Sequence, residues 1–442
     1  MKKVLLILAL SFSVLLATVG CNSDNTLKIW VGSESEEFYT QKMAEYVTNY
    51  NNTHDEEFPY EVVVSGVDTG TAASTYLDDT EAGADIFTVA HDNLGKLVAG
   101  SSSIAPITST TLLAQIDADN PESFKAVIKG TVDGTTYTFG VPYIAQSLVL
   151  YYNTEYVTAE QAQSWEGILT AAKTADKQAL SLTGTDGYNN SFLLLATDTS
   201  DHSTSLDLYV DGVQENCFAT GDDTIARLKW GQSFFLDANG AKKPSESGWE
   251  VELSDGISLS VIGGAWHFSA AQAALGDNLG ITTLPTFTLT EDDAYGTAVA
   301  GTEYKSGSFA DTKMFVMKKG SDRADYLQDI LLFLSSQDVQ EASFSAAQNL
   351  PAYKNAATEF AAFQEDTLEA QLASAQVEMF EWGIPQPFGF SSKYNTYFYS
   401  KGAPELILAI LENADNAYST DQDIYNQMLE IESIWKTGLK LD

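Results

Sequence analysis

From residue 26 onward, short apolar runs alternate with longer stretches in which apolar side chains recur every three or four positions. Leu27 to Val31 alternates and is rich in β-formers, which predicts a first strand, with a turn over Gly32 to Ser35. Phe38, Met43, Tyr46 and Val47 predict an amphipathic helix over 36–48. Glu61 to Val64 follows as a strand, 72–79 as a helix, and Ile86 to Ala90 as a continuous apolar strand of the kind buried on both faces of a parallel sheet. This β-α-β-α-β order implies a right-handed doubly wound unit. Farther along, the pattern predicts a helix over 161–173 with Trp165, Ile168 and Leu169 inward, a strand at Leu180 to Leu182, and a hairpin over 206–217 turning at Asp211-Gly212. A helix over 223–237, a strand running from Ile257 into Gly263-Gly264, a strand at Met314 to Met317, and helices over 323–335 and 404–413 complete the series.

The first residues do not fit that alternation. Lys2 and Lys3 precede an apolar run from Val4 to Ala17, and Thr18-Val19-Gly20 leads to Cys21, the layout of a secretory signal. It resembles a lipobox, which implies cleavage before Cys21 and a lipid on that cysteine; Thr18 stands where leucine is more usual. An uncleaved anchor is the other reading, but the run is shorter than the roughly 20 residues of a spanning helix. Residues 1–20 are thus expected to be a lipoprotein signal peptide and 21–25 a polar tether. Cys217 is the one other cysteine, so with Cys21 lipidated no disulfide forms and stability must come from burial.

Charge narrows the function classes. With 23 basic and 61 acidic residues the formal charge is −38, which excludes nucleic acid as a partner and argues against adhesion to an anionic bilayer. Such a surface favours a soluble monomer. A chain of 442 residues has room for two domains with full cores. Its 21 tyrosines and 22 phenylalanines suit recognition of flat apolar faces, although cores also consume aromatics.

The chemistry clusters beyond strand ends. His91, Asp92 and Asn93 fall just past the carboxyl end of the Ile86 to Ala90 strand, where open α/β sheets bind ligands. The competing reading is a polar turn in which Asp92 or Asn93 caps the next helix. There is no Gly-x-Ser-x-Gly, His-Glu-x-x-His or Walker loop, so no catalytic residue is assigned. His54, His91, His202 and His267 lie too far apart for metal-ligand spacing, and Asp117-Ala118-Asp119-Asn120 lacks the glycine and final glutamate of a calcium loop. No metal or other cofactor is expected.

Asp85-Ile86-Phe87, Ala90-His91-Asp92 and Leu94-Gly95, followed by Ala105-Pro106-Ile107, resemble a segment of the maltose/maltodextrin-binding proteins of ABC importers. Four further stretches follow in the same order: Tyr137 to Asn153, Thr183 to Asn190, Ile257 to Phe287, and Pro385-Gln386. The resemblance implies a two-lobed α/β fold of the type II periplasmic-binding kind, each lobe a doubly wound, mostly parallel sheet with flanking helices, joined by a hinge. Lobe 1 would comprise 26–144 and 306–350, and lobe 2 145–305 and 351–442. The first crossing would lie near Val141-Pro142 and the second near Leu350-Pro351-Ala352.

The same resemblance implies a neutral oligosaccharide as ligand, ABC permease subunits as partners, and a place outside the cytoplasmic membrane, held there by the lipid on Cys21. It implies ligand contacts from Glu34, Asp92, Asn93, Gln146, Asp186, Tyr188 and Trp266. An aromatic after Pro385-Gln386 would stack on the sugar: Phe390 fits counting forward and Tyr399 counting back from the next helix. Each has a plainer reading. Glu34 could be a solvated carboxylate, Gln146 a strand-edge amide, Tyr188 a surface loop residue and Trp266 a core residue. Val89 stands where relatives often hold an aromatic, and Asn93 where a basic or polar residue usually follows the aspartate, which points to a different sugar. A peptide or anion is the rival ligand, and a secreted glycan-active enzyme a more distant one. Neutral Asn93 and Gln146 favour a hydroxyl-rich ligand over an anion.

Overall fold

The computed structural model describes residues 25–99, 101–184, 186–190, 192–200, 209–210, 213–214, 220–243, 245, 247–364, 366–383 and 403–439. Cys21, Cys217, Phe390 and Tyr399 lie outside the described residues.

Two mixed sheets organise the molecule. The first contains β1 (Thr26–Val31), β2 (Glu61–Gly66), β3 (Ile86–Ala90), β4 (Ile104–Ala105), β5 (Val141–Gln146) and a late strand, Asp311–Lys318, named β11 below. The second contains β6 (Val149–Asn153), β7 (Leu180–Ser181), β8 (Ala241–Lys242), β9 (Ser260–Gly263) and β10 (Leu279–Thr282). In the first, β1 pairs parallel with β2 and β3, while β11 (Asp311–Lys318) runs antiparallel to β3, β4 and β5. In the second, β7 is parallel to β8 and β9, and β6 is antiparallel to β9 and β10. The sheets are therefore parallel only where β-α-β units build them. β11 enters its sheet from the segment that follows the second sheet, so it meets β3 in the opposite direction.

Burial explains the strand choices. Ile86, Phe87 and Val89 are fully buried, as a continuous apolar run requires. Helix α1 (Glu36–Thr53) is five residues longer than its apolar periodicity predicts, because Tyr50 packs on Phe58 and Tyr326 and draws the polar 49–53 stretch into helix. Helix α2 (Ala72–Asp78) buries Ala72, Ala73 and Tyr76. Helix α3 (Trp165–Ala175) starts where the Ser164 hydroxyl accepts from the Gly167 N–H at 3.1 Å, and stops at Asp176 in a left-handed conformation. Helices α4 (Asp222–Leu236), α5 (Ala324–Leu334) and α8 (Ala403–Glu412) form where the sequence predicts them, while α6 (Gln337–Ala347), α7 (Leu368–Glu381) and α9 (Asp421–Leu439) form in stretches for which no element was predicted. The hairpin also forms, as Tyr209–Val210 paired antiparallel with Val213–Gln214.

Each sheet has its own core. One cluster joins Leu27, Ile29, Ile86, Phe87, Val316 and Leu331; another joins Leu150, Trp165, Leu180, Phe234 and Ile262. The chain passes between the sheets directly from β5 to β6, through Gln146, Ser147 and Leu148, all buried. Beside it the Ala145 N–H donates to the Leu350 carbonyl at 2.8 Å and Ile144 bridges Pro351, and the chain returns to the first sheet between β10 and β11. Among the described residues no helix is long and apolar enough to cross a membrane.

Candidate functional site

Strand register assembles the first wall of the site. β1 and β3 run parallel, so Val31 and Ala90 end at one edge of their sheet. β11 begins there, because Lys313 pairs with Ala90, and β5 ends there, because Gln146 lies opposite Asp311. Four strand ends thus present Glu34, His91, Asp92, Asn93, Asp311, Lys313 and Gln146 along one rim, the crevice where open sheets bind ligands.

His91 to Asn93 form a short 3-10 turn in which all three side chains are buried. Asn93 precedes the next helix without capping it: its Nδ2 donates to Asp92 Oδ1 at 2.9 Å. Asn93 therefore does not cap the helix with its side chain, and its amide serves the carboxylate. Burial pushes the Asp92 carboxyl up to about 6, opposed by His91 and reinforced by the Asp311 charge. Asp311, only 2 % exposed, faces His91, with Oδ1 3.7 Å from Nδ1. Glu34 sits higher on the rim: its side chain is 53 % exposed and 3.8 Å from Lys313 Nζ. Lys313 is itself shifted down by burial. Gln146 is buried at the foot of the crossing.

The second wall comes from the other sheet by the same logic. β7 and β9 are parallel, so the 183–190 loop and the Gly263-Gly264-Trp266 turn leave from one edge, and β6 begins beside Gly263. Trp266 is 46 % exposed on a 3-10 turn, with its ring centroid 6.0 Å from that of Tyr188. It is not the core residue that its plainer reading allows. A Cβ at Gly264 would overlap the indole, so the glycine is what lets the ring lie where it does. The Gly264 carbonyl is fixed by the Tyr151 hydroxyl, which donates to it at 2.8 Å. Tyr188 is buried rather than on the surface; it stacks at 29° on Phe309, two residues before Asp311, and burial together with the Asp311 charge raises its hydroxyl's pKa.

Asp186 occupies this loop in a different way from the other candidates. Its Oδ1 accepts from the Tyr188 and Asn189 N–H groups at 2.9 Å, and its Oδ2 accepts from Asn189 Nδ2 at 2.8 Å. Those bonds shape the loop that carries Tyr188. His267, beside Trp266, is pushed down to about 4, mainly by burial, and is therefore a neutral ring at pH 7.

Seven of the nine predicted contact residues are described, and the Asp311 charge helps raise both the Asp92 carboxyl and the Tyr188 hydroxyl. Two residues at this rim escaped sequence reading: Asp311 and Phe309. Only a carboxylate opening an apolar strand hinted at Asp311. Among the described residues no cluster of His, Cys, Asp or Glu could hold a metal ion. Acceptor-rich polar groups on one wall and an exposed indole on the other can hydrogen-bond hydroxyls and stack on a C–H face.

Comparison with solved structures places the fold. The maltodextrin binding protein MalE1 from L. casei BL23, without ligand, matches with a TM-score of 0.71 at 17% identity, over 93% of this chain and 99% of that one. The GacH receptor of Streptomyces glaucescens, solved unliganded and with acarbose, matches with a TM-score of 0.67 at 17% identity, over 94% and 98%. The maltose-binding periplasmic protein MalE from Listeria monocytogenes, solved with maltose, matches with a TM-score of 0.66 at 17% identity, over 94% and 98%. A search of curated proteins found no match. The two-lobed fold expected from the sequence is thus the observed one. The family model for bacterial extracellular solute-binding proteins matches residues 45–370, most of the chain, and this protein belongs to that family.

Proposed function

We propose that the protein is the substrate-binding lipoprotein of an ABC importer, which captures a neutral oligosaccharide, maltodextrin-like or related, between its lobes and delivers it to the permease. The observation that carries this reading is the convergence of two sets of strand ends on one crossing. Asp92, Asn93 and Gln146 stand on one side and Tyr188 and Trp266 on the other, with Phe309, two residues before Asp311, stacked on Tyr188. Carboxylates and amides accept from hydroxyls, and the indole offers an apolar face to a pyranose. The ligands of the structural neighbours, maltose and acarbose, point the same way.

In this reading, residues 26–144 and 306–350 make up lobe 1 and 145–305 and 351–442 lobe 2. The passages at 146–148 and 350–351 are then the hinge, and closure over the sugar creates the surface that the permease recognises. Cleavage before Cys21 and its lipidation would hold a monomer at the outer face of the cell membrane. Glu34 reaches the ligand from the rim, and Phe390 or Tyr399 adds a second stacking ring.

Thermal unfolding against a panel of neutral oligosaccharides, peptides and anions tests the proposal, since a ligand that binds only the native state raises the melting temperature. A concentration-dependent rise with maltodextrins or related sugars, without turnover, supports it. A rise with peptides or anions alone, or hydrolysis of a sugar, overturns it.

A further inference from the structure

We propose that Lys313 is a ligand-binding residue, whose ammonium lies on the floor of the crevice and donates to an oxygen of the bound ligand. For its effect on affinity the role rests on the sugar-binding reading above. Lys313 is the third residue of β11, paired with Ala90 of β3 on one side and with Ile144 of β5 on the other. Residues paired across an antiparallel ladder point to one face, so the lysine leaves the sheet on the side of Ala90, the residue before the His91-Asp92-Asn93 turn. From there its Nζ comes within 3.8 Å of Glu34 Oε1. Glu34 follows β1, and β3 lies between β1 and β11. Two strand spacings of about 4.8 Å separate those strands, so the lysine stem and the Glu34 side chain meet across the end of β3, where Ala90 is too small to obstruct them. The ladder to β5 shifts register between Lys313 and Met314, skipping Tyr143, an irregularity of the kind that re-aims side chains beside binding sites.

The side chain is 14 % exposed, and burial shifts its ammonium down. An ammonium carries three donors, and enclosing it is unfavourable unless acceptors replace its water. Among the described residues Glu34 is its one ion-pair partner, at a distance longer than a hydrogen bond. Asp68, another nearby carboxylate, is engaged in its own turn, where Oδ1 accepts from the Gly70 and Thr71 N–H groups at 3.0 and 3.1 Å. The donors of Lys313 are thus left for a ligand. The wall around it supplies the complement: ionised Glu34 and Asp92 only accept, so hydroxyls that donate to them keep oxygen lone pairs that need a donor close by. One ammonium beside Glu34 and near the Asp92 turn does not outweigh the carboxylates of this rim, which suits a neutral sugar better than an anionic one.

Lys313→Met, Lys313→Arg, Glu34→Gln and the Lys313→Met/Glu34→Gln double variant, each in the full mature chain, test the assignment, with maltotriose and trigalacturonic acid as probes. Titration calorimetry gives affinity, thermal unfolding gives stability, and reductive methylation read by peptide mass spectrometry gives access to the amine itself. Lys313→Met should bind maltotriose about tenfold more weakly or worse, with part of the loss recovered in Lys313→Arg and a melting temperature no lower than the parent's. The double variant should be weaker than either single. Maltotriose should slow methylation of Lys313 while leaving Lys173, 52 % exposed, unaffected. Unchanged affinity in Lys313→Met, an affinity loss that follows a loss of stability, or methylation indifferent to the sugar would each overturn the assignment. So would a double variant equal to Glu34→Gln, which would make the lysine a support for Glu34 alone. The two readings fail separately: a parent that binds trigalacturonic acid in place of maltotriose refutes the neutral ligand, and the lysine contact then stands or falls on the same variants with that acid. A parent that binds neither refutes both.

Discussion

Tyr188 and Trp266 lie with ring centroids 6.0 Å apart and planes inclined at 54°, yet one is 6 % exposed and the other 46 %. Tyr188 is built into the wall, stacked on Phe309, and Trp266 is the exposed ring beside it. A large aromatic left in water by the fold, against a rigid backing, is the ordinary signature of a binding anchor.

Trp266→Ala should therefore separate binding from stability. Removing an anchor of this kind costs about 2 kcal/mol or more of binding, roughly a 30-fold loss in affinity. Because nearly half of the side chain is already solvated, the melting temperature should stay within about 2 °C of the parent. Titration calorimetry and thermal unfolding check the two halves, and an unchanged affinity would remove Trp266 from the site.

Gly264→Ala tests the same surface from the backbone. Gly264 has φ −92° and ψ −175°, an extended conformation open to any residue, so its effect is steric alone. The added methyl must displace the Trp266 ring, and an affinity loss of about tenfold, roughly 1.4 kcal/mol, is expected. The double variant with Trp266→Ala should bind no worse than Trp266→Ala by itself, since the ring that the methyl displaces is then absent.

Much of this site was legible in the chain because it rests on local rules. The apolar run Ile86 to Ala90 ends where its polar neighbours begin, and the strand occupies those residues without shift. Gly263-Gly264 before an aromatic signalled a close turn with an exposed ring, and that is its form. The illegible parts depend on register. Asp311 reads as the polar start of a returning strand until β11 is laid beside β3 and β5. Asp186 two residues before Tyr188 could be read as a ligand group or as a turn former, and only the bonds to the Tyr188 and Asn189 N–H groups show the second use. The 49–53 stretch, polar by composition, becomes helical through Tyr50, a tertiary contact that local propensity does not contain.

Arg227 offers a stability prediction away from the ligand. It is 1 % exposed, and burial lowers it to about 10, so it stays charged at neutral pH. Its guanidinium donates to the Leu194 carbonyl at 3.2 Å, to the Ala196 carbonyl, and through Nε to the Asp223 carbonyl at 3.1 Å, with the Tyr304 ring beneath it at 5.5 Å. Arg227→Ala leaves several buried carbonyls short of a donor, each costing about 1–3 kcal/mol, so a destabilisation of about 3–5 kcal/mol is expected. Arg227→Lys should recover only part of it, because one ammonium cannot reproduce the planar fork. Urea unfolding of both variants gives the comparison.

The last prediction concerns pH and turns on Asp92. Its carboxyl is raised from the ordinary 3.8 to about 6 in the folded protein, mainly by burial. Between those values the folded state holds a proton that the unfolded state has released, so stability is greatest below about pH 4 and declines as pH rises through 6. Moving the carboxyl from 3.8 to about 6 corresponds to about 3 kcal/mol for this buried group. Asp92→Asn should remove that slope, so the parent loses stability relative to the variant between pH 4 and 7, which urea titrations at a series of pH values would reveal. Ligand binding should run in the opposite direction. Sugar hydroxyls donate to the ionised carboxylate more strongly than to the acid, so parent affinity should climb as pH passes 6, while Asp92→Asn binds weakly and without that dependence. An affinity in the parent that is flat from pH 5 to 8 would place the Asp92 carboxylate outside the contact with the ligand.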